Sequence, residues 1–368
     1  MFHKKSFKKQ IENNILLTFG SAKLYTNLLI MKNLSILLFF LGFLFAFQLK
    51  AQPRIIFDTD IGSDADDLGA LAMLHNYVKR GHCELLAIGI WSTDEYAVPS
   101  VDAINRFYHH PNIPIGVRKD GTYKNLNSYN NAIADCFQYK LSYNDVPDVV
   151  ELYRKVLSSA RDSSITLVAV GPLKNIERLI RSEPDKYSKL NGKELISKKI
   201  KEFVIMGGQF PKGDNEWNFN GEMPGVTRYV LENTTSVPVV FSGYEIGATI
   251  KTGATFNNID KETPLYVGFM HFSEHAPWIK SDFKGKILNN STFDQTAVLY
   301  AVNKGDSVLW EKVTGGFCEA DDKGGNRWIK KTNSNHAYLK LIEKPDFMAA
   351  LIEAIMLNRF EDIVPKED

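Results

Sequence analysis

The sequence predicts an α/β protein built on an open, mostly parallel, Rossmann-like sheet with helices on both faces. Apolar runs and amphipathic stretches alternate along the whole chain, and this strand–helix order is typical of a parallel sheet covered on two sides. The 368 residues, of which 44% are hydrophobic, are enough to bury a large core. No internal repeat and no Pro/Gly/Ser-rich linker divides the sequence, so we expect one domain after the N-terminal segment.

The predicted elements follow one another in a regular order. Residues 54–57 form a short apolar strand, and 66–79 form a helix because leucine, alanine and valine recur there at helical spacing behind acidic residues. Further strands are predicted at 85–91, 165–170, 203–206 and 237–241. Further helices are predicted at 98–108, 149–160, 173–181, 225–232, 292–302 and 347–357. The looser stretch 251–290 is aromatic and contains histidines, and we interpret it as a cap or an active-site flap.

The segment that starts at Met31 has the pattern of a secretory signal peptide. A lysine follows the methionine, residues 36–47 are strongly apolar, and a small residue, Ala51, ends the segment. This apolar run is shorter than the roughly 20 residues that span a bilayer. We therefore expect an upstream extension or mis-start at 1–30, a signal peptide at 31–51 and a mature catalytic domain at 52–368. The mature protein is then periplasmic or secreted with no stable membrane span, and a retained N-terminal anchor is the alternative.

Charge and cysteine content exclude several classes of protein. Lys+Arg number 44 and Asp+Glu 43, a net charge of +1, which predicts no binding to a nucleic acid polymer or an acidic membrane surface. The expected partner is a small or weakly charged molecule. Cys83, Cys136 and Cys318 show no CxxC spacing, which argues against a zinc or iron–sulfur site. Buried, inert cysteines are favoured over a disulfide.

An acidic run follows the first predicted strand. It places five carboxylates within ten residues, and these repel one another unless a cation lies among them. Oxygen ligands of this kind suit a hard cation such as Ca²⁺ or Mg²⁺. A solvated acidic turn with a helix N-cap is the alternative, but the position after a buried strand, at the edge where open sheets bind ligands, favours a metal site. The run consists of Asp58, Asp60, Asp64, Asp66 and Asp67.

Other polar segments follow later strands. Residues 171–175 read Gly-Pro-Leu-Lys-Asn, Gly207-Gly208 precedes Glu216-Trp217-Asn218, and Asp294 lies at the start of a late helix. Each alone is an ordinary turn or cap, but together they surround one potential pocket. None resembles a P-loop, a dinucleotide-binding fingerprint or a nucleophile elbow, so zinc and Ser-His-Asp mechanisms are not favoured.

The order of these motifs resembles the inosine–uridine-preferring nucleoside hydrolase family. The resemblance covers residues 54–357, and its most specific part is the Asp-Thr-Asp…Asp-Asp run, followed by Gly-Pro-Leu-x-Asn and Met-Gly-Gly. It implies the nucleoside hydrolase fold, a bound Ca²⁺ and a homo-oligomer. It also implies hydrolysis of the N-glycosidic bond of ribonucleosides to ribose and base, with water activated by Asp60 and the metal.

The resemblance further implies a role for each matched residue. Asp60 matches the catalytic base and is also a metal ligand. The implied metal ligands are Asp60, Asp67, the main-chain carbonyl of Val170, and Asp294. The implied substrate-binding residues are Asp64, Asp66, Asp94, Glu216, Trp217 and Asn218.

Departures from the family pattern concern the acidic run and the base end of the site. Five residues separate Asp60 from Asp66 where three are common, which leaves open whether Asp64 or Asp66 faces the sugar. Phe293 stands where the family often has a histidine that can protonate the leaving base. After the second strand, Thr93 or Asp94 replaces a Gly-Asn pair. The candidate substitutes for the missing proton donor are Tyr244, Glu245, His271 and His275.

We therefore expect a secreted bacterial member of this family with a retained sugar end and a diverged base end. Two alternatives remain open at this stage. One is a riboside-binding protein with weak or no catalysis, and the other is a hydrolase of a non-nucleoside riboside. Fold alone does not decide among them, because function depends on the site.

Overall fold

The computed structural model describes residues 52–121, 128–303 and 308–362. The predicted upstream extension (1–30) and signal peptide (31–51) lie outside these residues. The chain from Gln52 onward forms one compact unit. Within the described residues, every helix is too short or too polar to cross a membrane.

A ten-stranded sheet forms the centre of the described part of the chain, in the order β3-β2-β1-β4-β5-β7-β12-β10-β11-β6. The seven strands from β3 to β12 pair in parallel, and β10, β11 and β6 extend the sheet in antiparallel pairing. β8 and β9 form a separate two-stranded sheet. The strands are β1 (Arg54–Thr59), β2 (Glu84–Ile90), β3 (Ile115–Val117), β4 (Ile165–Ala169), β5 (Ile200–Met206), β6 (Lys212–Gly213), β7 (Val239–Ser242), β8 (Lys251–Thr252), β9 (Asn290–Ser291), β10 (Trp310–Ala320), β11 (Asn326–Lys330) and β12 (His336–Leu341).

Helices connect most of the parallel strands. They are α1 (Asp66–Lys79), α2 (Ala97–Phe107), α3 (Tyr129–Cys136), α4 (Val149–Ser159), α5 (Lys174–Ile180), α6 (Gly192–Lys199), α7 (Trp217–Asn220), α8 (Val226–Asn233), α9 (Tyr244–Gly247), α10 (Pro264–His275), α11 (Asp294–Val302) and α12 (Pro345–Met356). Short 3₁₀ helices lie at Tyr143–Asp145, Ala254–Asn258, Lys280–Asp282 and Phe360–Asp362.

Two hydrophobic cores lie on opposite faces of the sheet. Along β1, Ile55 and Phe57 belong to one core and Ile56 to the other, as expected for a strand whose side chains alternate between faces. The first core is covered by α1, α2, α3, α10, α11 and α12. The second is covered by α4, α5, α6 and α8. The predicted mostly parallel sheet with helices on both faces is therefore confirmed.

Several element predictions match closely, and others fail. Helix 66–79 has the predicted limits, and most predicted strands and helices agree within three residues. The stretch interpreted as loose contains α10, a regular helix of 12 residues. Strands β10, β11 and β12 were not predicted, and neither were β3, α3 and α6. The expectation of buried cysteines holds for Cys83 and Cys318 but is wrong for Cys136, which is exposed; all three are free thiols.

The topology determines where a site forms. β1 lies between β2 and β4, so the chain proceeds from the centre of the sheet in one direction and later in the other. A crevice opens at such a switch point beyond the carboxyl ends of the strands. The acidic run follows β1 at this crevice, and Val170 follows β4.

Candidate active site

Asp58, the first carboxylate of the acidic run, points away from the others. It lies within β1 and faces the same side of the sheet as Ile56. Its carboxylate accepts hydrogen bonds from the Tyr153 hydroxyl and, at 2.9 Å, from Nδ2 of Asn175. Burial raises the pKa of Asp58 to about 7. Asp58 therefore ties the sheet to α4 and α5.

Three buried carboxylates lie close together beyond the carboxyl end of β1. Asp66 and Asp67 begin α1, and Asp294 begins α11. One oxygen of each lies within 4.8 Å of the other two, and we call these residues the acidic triad. The Thr59 hydroxyl donates a hydrogen bond to Asp67, and the backbone N–H of Asp294 donates to Asp66 at 3.4 Å. Two helix N-termini, whose dipoles favour negative charge, thus hold the acidic triad together.

The electrostatics of the acidic triad fit a divalent cation. Burial, and then repulsion by neighbouring carboxylates, raises the pKa of Asp66, Asp67 and Asp294 well above the usual range of aspartate. A cation removes this repulsion and lets all three remain ionised. The carbonyl of Val170 lies in the same cavity and accepts a hydrogen bond of 2.8 Å from Nδ2 of Asn218. Three carboxylates and a carbonyl are a hard-oxygen donor set suited to Ca²⁺.

Asp60 lies beside the acidic triad rather than within it. Nε1 of Trp217 donates a hydrogen bond of 3.3 Å to its Oδ2. Burial raises the pKa of Asp60 to about 7, although this hydrogen bond partly opposes the shift. The acidic triad therefore contains Asp66 and not Asp60. The family resemblance implied a sugar contact for Asp66 and a metal-ligand role for Asp60.

Asp64 has a different neighbourhood from Asp66. Its carboxylate accepts hydrogen bonds from Nδ2 of Asn290, in β9, and from the backbone N–H of Asp66 at 3.3 Å. Burial raises the pKa of Asp64 as well. Both carboxylates line one cavity of 540 Å³, which we call the acidic cavity. The extra residues in the acidic run thus make room for Asp64 next to the acidic triad.

The segment Glu216-Trp217-Asn218 forms the opposite wall of the acidic cavity. Glu216 is the N-cap of α7, and its carboxylate accepts backbone hydrogen bonds from Gly208, Asn218 and Phe219 at 2.8 to 3.0 Å. Burial raises the pKa of Glu216 to about 7, against the lowering effect of these bonds. The Trp217 side chain is 51% exposed at the cavity mouth.

Asp94 occupies a supporting position behind the acidic run. Its carboxylate accepts hydrogen bonds from the Ser128 hydroxyl, from Nδ2 of Asn130 at 3.0 Å and from the backbone N–H of Tyr96 at 3.1 Å. Nδ2 of Asn130 also donates to the carbonyl of Ile61 at 3.0 Å. The structure thus places Asp94 behind the turn at Ile61, whereas the other sequence-predicted site residues line the acidic cavity.

A second cavity of 540 Å³, here called the aromatic cavity, adjoins the acidic one. His271 and His275 line it, one turn apart on α10, with ring centroids 4.2 Å apart. The i,i+4 spacing of these histidines was a signal for a shared helical face, but α10 itself was not predicted. Trp91 also lines this cavity. The two cavities share Asp60, Ser63, Trp217 and Trp278.

The remaining candidates for the missing proton donor differ in position. Phe293 stacks on Tyr244 with centroids 5.2 Å apart, and both rings line the acidic cavity. Glu245 instead accepts a hydrogen bond of 2.9 Å from the backbone N–H of Phe210. An aromatic pair therefore occupies the position next to Asp294 where the family often has a histidine.

The model of the family described as inosine-uridine preferring nucleoside hydrolase matches residues 55–335. The chain belongs to this family. The pyrimidine-specific ribonucleoside hydrolase RihB of Escherichia coli is 29% identical over 176 residues, which is 45% of this chain and 49% of that protein. The chain thus matches about half the length of this curated relative.

Solved structures share the fold at low sequence identity. The inosine-guanosine nucleoside hydrolase IG-NH is 18% identical, with a TM-score of 0.60 over 84% of this chain and 99% of that chain. The inosine-uridine preferring nucleoside hydrolase of Bacillus anthracis is 13% identical, with a TM-score of 0.58 over 83% and 100% of the chains. The plant nucleoside hydrolase PpNRh1 is 15% identical, with a TM-score of 0.58 over 83% and 98%. The predicted nucleoside hydrolase fold and family are therefore confirmed.

Proposed function

We propose that this protein hydrolyses the N-glycosidic bond of ribonucleosides to ribose and a free base, with Ca²⁺ as its resident metal. The observation that carries this proposal is the junction of the two cavities at Asp60. A sugar in the acidic cavity and a base in the aromatic cavity put the glycosidic bond beside the Asp60 carboxylate. Membership of the nucleoside hydrolase family supports the same reaction.

The residues that would hold Ca²⁺ are Asp66, Asp67, Asp294 and the carbonyl of Val170. Their buried position and mutually raised pKa values support this assignment. Calcium bound there supplies positive charge that orients the ribose diol and acidifies the attacking water.

In this proposal Asp60 is the general base. It removes a proton from water as the oxygen attacks C1′, while the C1′–N bond breaks and its electron pair leaves with the base. The burial that raises the pKa of Asp60 to about 7 suits proton transfer near neutral pH. Its position beside the acidic triad, at the entrance to the aromatic cavity, supports this role.

For the sugar end, we assign the hydroxyl contact to Asp64 rather than to Asp66. Asp66 belongs to the acidic triad, whereas Asp64 lies beside it and is held by Asn290. Glu216 completes the sugar end from the opposite wall. The backbone N–H groups of Gly208 and Phe219 donate to its Oε2 and that of Asn218 to its Oε1, which orients the carboxylate so that it can accept a further hydrogen bond from a ribose hydroxyl.

The leaving base departs into the aromatic cavity, where His271 is the candidate proton donor. Replacing His271 by Gln is expected to lower kcat for a purine nucleoside by about 10²-fold, because a general acid is lost. Burial, and then His275, lowers the pKa of His271, so the imidazolium is scarce at neutral pH and its contribution to kcat increases as the pH falls. Steady-state kinetics of His271→Gln and wild type measure both effects.

The matched control for His271→Gln is p-nitrophenyl riboside, whose leaving group departs as an anion without a proton. The His271→Gln variant should hydrolyse this substrate within about threefold of the wild-type rate, since no general-acid contribution is at stake. Equal losses on both substrates would show that His271 acts on the sugar end or on folding instead.

The overall proposal is tested by incubating residues 52–368 with Ca²⁺ and a panel of ribonucleosides and measuring reducing sugar. Ribose release that stops on chelation is the expected result. Calcium-dependent thermal stabilisation by nucleosides without ribose release would identify a riboside-binding protein. Release from p-nitrophenyl riboside but from none of the nucleosides would point to a non-nucleoside riboside as the substrate.

We also propose that the protein acts in the periplasm or outside the cell, as a homo-oligomer. The support for export is the signal-like pattern of residues 31–51. The support for assembly is the family resemblance. Fractionation of expressing cells and light scattering of the purified protein test the two statements separately.

A further inference from the structure

The hairpin formed by β10 and β11 lies next to the site but belongs to none of the family motifs described above. Its two strands pair in antiparallel fashion, and β10 also pairs with β12, which continues the parallel sheet. Its tip, residues 321–325, is held by its own hydrogen bonds. Oδ1 of Asp321 accepts from the backbone N–H of Lys323 at 2.7 Å and of Gly325 at 2.9 Å. The hairpin is therefore an ordered platform anchored in the main sheet.

This platform holds the first part of the loop that delivers Glu216, Trp217 and Asn218 to the site. Asn326 of β11 donates a hydrogen bond from Nδ2 to the carbonyl of Gln209 and accepts one at Oδ1 from its backbone N–H, both at 2.9 Å. Asn326 is 5% exposed, so these bonds are shielded from water. The two residues of β6 then pair with β11.

The same platform holds the end of the loop. The backbone N–H of Glu216 donates a hydrogen bond of 3.0 Å to the carbonyl of Gly324. Nδ2 of Asn220 donates to the carbonyl of Lys323 at 3.1 Å. Glu216, at the start of the proposed sugar-binding segment, and Asn220, two residues after its end, are thus bonded to the hairpin tip.

We propose that the tip of the β10–β11 hairpin positions the Glu216–Asn218 segment for the sugar, with Gly324 and Asn326 as positioning residues. The expected change in KM rests on the proposed function, but the expected change in the position of the Glu216–Asn218 segment does not. The walls of the acidic cavity come from separate parts of the chain: the acidic triad from α1 and α11, and the opposite wall from the loop held by the hairpin. Displacing the hairpin tip therefore moves the sugar contacts and leaves the acidic triad in place.

Gly324 is the sharpest point at which to test the contact. Its φ is +86°, and a Cβ there would lie 2.8 Å from the carbonyl oxygen of Glu216 and 2.7 Å from Cβ of Asn220. Backbone at this distance has to shift. Gly315, in β10, is the matched control because its φ is +78° but a Cβ there meets nothing within 4 Å. Gly→Ala at the two positions introduces similar backbone strain, and only Gly324→Ala pushes on the loop.

The kinetic experiment compares Gly324→Ala, Gly315→Ala and wild type, each loaded with Ca²⁺. For Gly324→Ala we expect KM to rise at least about tenfold, because misplaced hydroxyl contacts weaken substrate binding. Gly315→Ala should keep the wild-type KM. A variant that is merely partly unfolded lowers the apparent kcat and leaves KM unchanged, so unchanged KM values for Gly324→Ala overturn the proposal.

Two further measurements do not depend on catalysis. Calcium-dependent thermal stabilisation should be the same in Gly324→Ala and Gly315→Ala. Its loss in Gly324→Ala alone would contradict the statement that the acidic triad stays in place when the hairpin tip moves. Acrylamide quenching assigned to Trp217, by difference from the corresponding Trp217→Phe variants, should increase in Gly324→Ala alone. Equal quenching in the two alanine variants would overturn the positioning proposal, whether or not the wild-type protein releases ribose. Absence of ribose release from the wild-type protein would overturn only the proposed function.

Asn326→Ala tests the same platform without altering the tip. It removes both side-chain hydrogen bonds to Gln209. We expect it to increase KM and the acrylamide quenching of Trp217, as Gly324→Ala does. A wild-type KM in a folded Asn326→Ala protein would show that the hairpin does not position the loop.

Discussion

The Asp60→Asn variant is expected to lose about 10³-fold in kcat while it keeps most of its calcium-dependent stabilisation. Loss of a general base typically costs about 10²–10⁴-fold. The close group of carboxylates is formed by Asp66, Asp67 and Asp294, and Asp60 lies beside it, hydrogen-bonded to Trp217. Removing the charge of Asp60 therefore removes the proton acceptor but leaves the main donor set for the metal.

The strand that precedes Asp60 supplies the matched control. Asp58→Asn makes the same chemical change two residues earlier, inside β1, where the carboxylate accepts hydrogen bonds from Tyr153 and Asn175 instead of lining the acidic cavity. An asparagine oxygen at position 58 can still accept a hydrogen bond, so we expect kcat within about threefold of wild type. Steady-state kinetics with a ribonucleoside and calcium titration monitored by thermal unfolding separate the two variants. Comparable losses of kcat in both would contradict a specific role for Asp60.

The acidic run shows how far sequence reasoning reaches at this site. Its position after a buried strand predicted that carboxylates meet at the crevice, and α1 begins and ends at the predicted residues. Alternation along β1 accounts for Asp58 facing the same side of the sheet as Ile56, whereas Asp60 lies beyond the end of β1, where the chain turns into the acidic cavity. The sequence left open whether Asp64 or Asp66 faces the sugar, and the different positions of these two carboxylates depend on Asn290 and Asp294, which lie more than 220 residues away in the chain. That distinction is tertiary, and no local pattern contains it.

Two of the features that were not predicted, α10 and the β10–β11 hairpin, were missed for different reasons. α10 carried local signals, since Thr263 accepts a capping hydrogen bond from the Tyr266 backbone and Pro264 occupies the first turn. Its many aromatic residues on several sides obscured the helical period. The β10–β11 hairpin also had a local signal in its Asp-Asp-Lys-Gly-Gly turn. The sequence does not predict that this turn is hydrogen-bonded to the loop that carries Glu216, which lies about a hundred residues earlier in the chain.

Metal-free protein is expected to lose stability as the pH rises from 6.5 to 8.5, and Ca²⁺ is expected to reverse the part of the loss that comes from the acidic triad. Burial raises the folded-state pKa of Asp60 to about 7 and those of Asp66, Asp67 and Asp294 well above 3.8, the value expected in the unfolded chain. The folded protein therefore binds protons that the unfolded chain releases. Their contribution to the free energy of unfolding is fully present below pH 3.8 and is lost as the pH rises through the folded pKa values.

Two buried histidines make a contribution to stability of opposite sign. Burial lowers the pKa of His75 to about 3 and of His336 to about 4, so these groups reduce stability as the pH falls below about 6.5. In the unfolded chain both imidazoles are half protonated at pH 6.5 and neutral above about pH 7.5, so their contribution is confined to the lower part of the window. The loss of stability up to pH 8.5 then reports on all the buried carboxylates, including Asp58 and Glu216, whose pKa burial raises to about 7, and only the part that Ca²⁺ reverses reports on the acidic triad.

Calcium at about 100 times its Kd stabilises the folded state by about 2.7 kcal/mol, which corresponds to a Tm increase of about 5 °C. The increase should be larger at pH 8.5 than at pH 6.5, because protons compete with the metal for the acidic triad. Thermal unfolding with chelator and with Ca²⁺ at both pH values measures the effect. A Tm that is independent of both calcium and pH would contradict a metal site at the acidic triad.

The Asp67→Asn variant makes the test specific. It removes one charge from the acidic triad while the new side chain can still accept the hydrogen bond from Thr59. At pH 8.5 the metal-free variant is therefore expected to be more stable than metal-free wild type, because less repulsion is buried. The same variant should gain little from Ca²⁺, since one ligand charge is missing. A destabilised metal-free Asp67→Asn protein that still responds fully to Ca²⁺ would show that Asp67 contributes packing rather than metal binding.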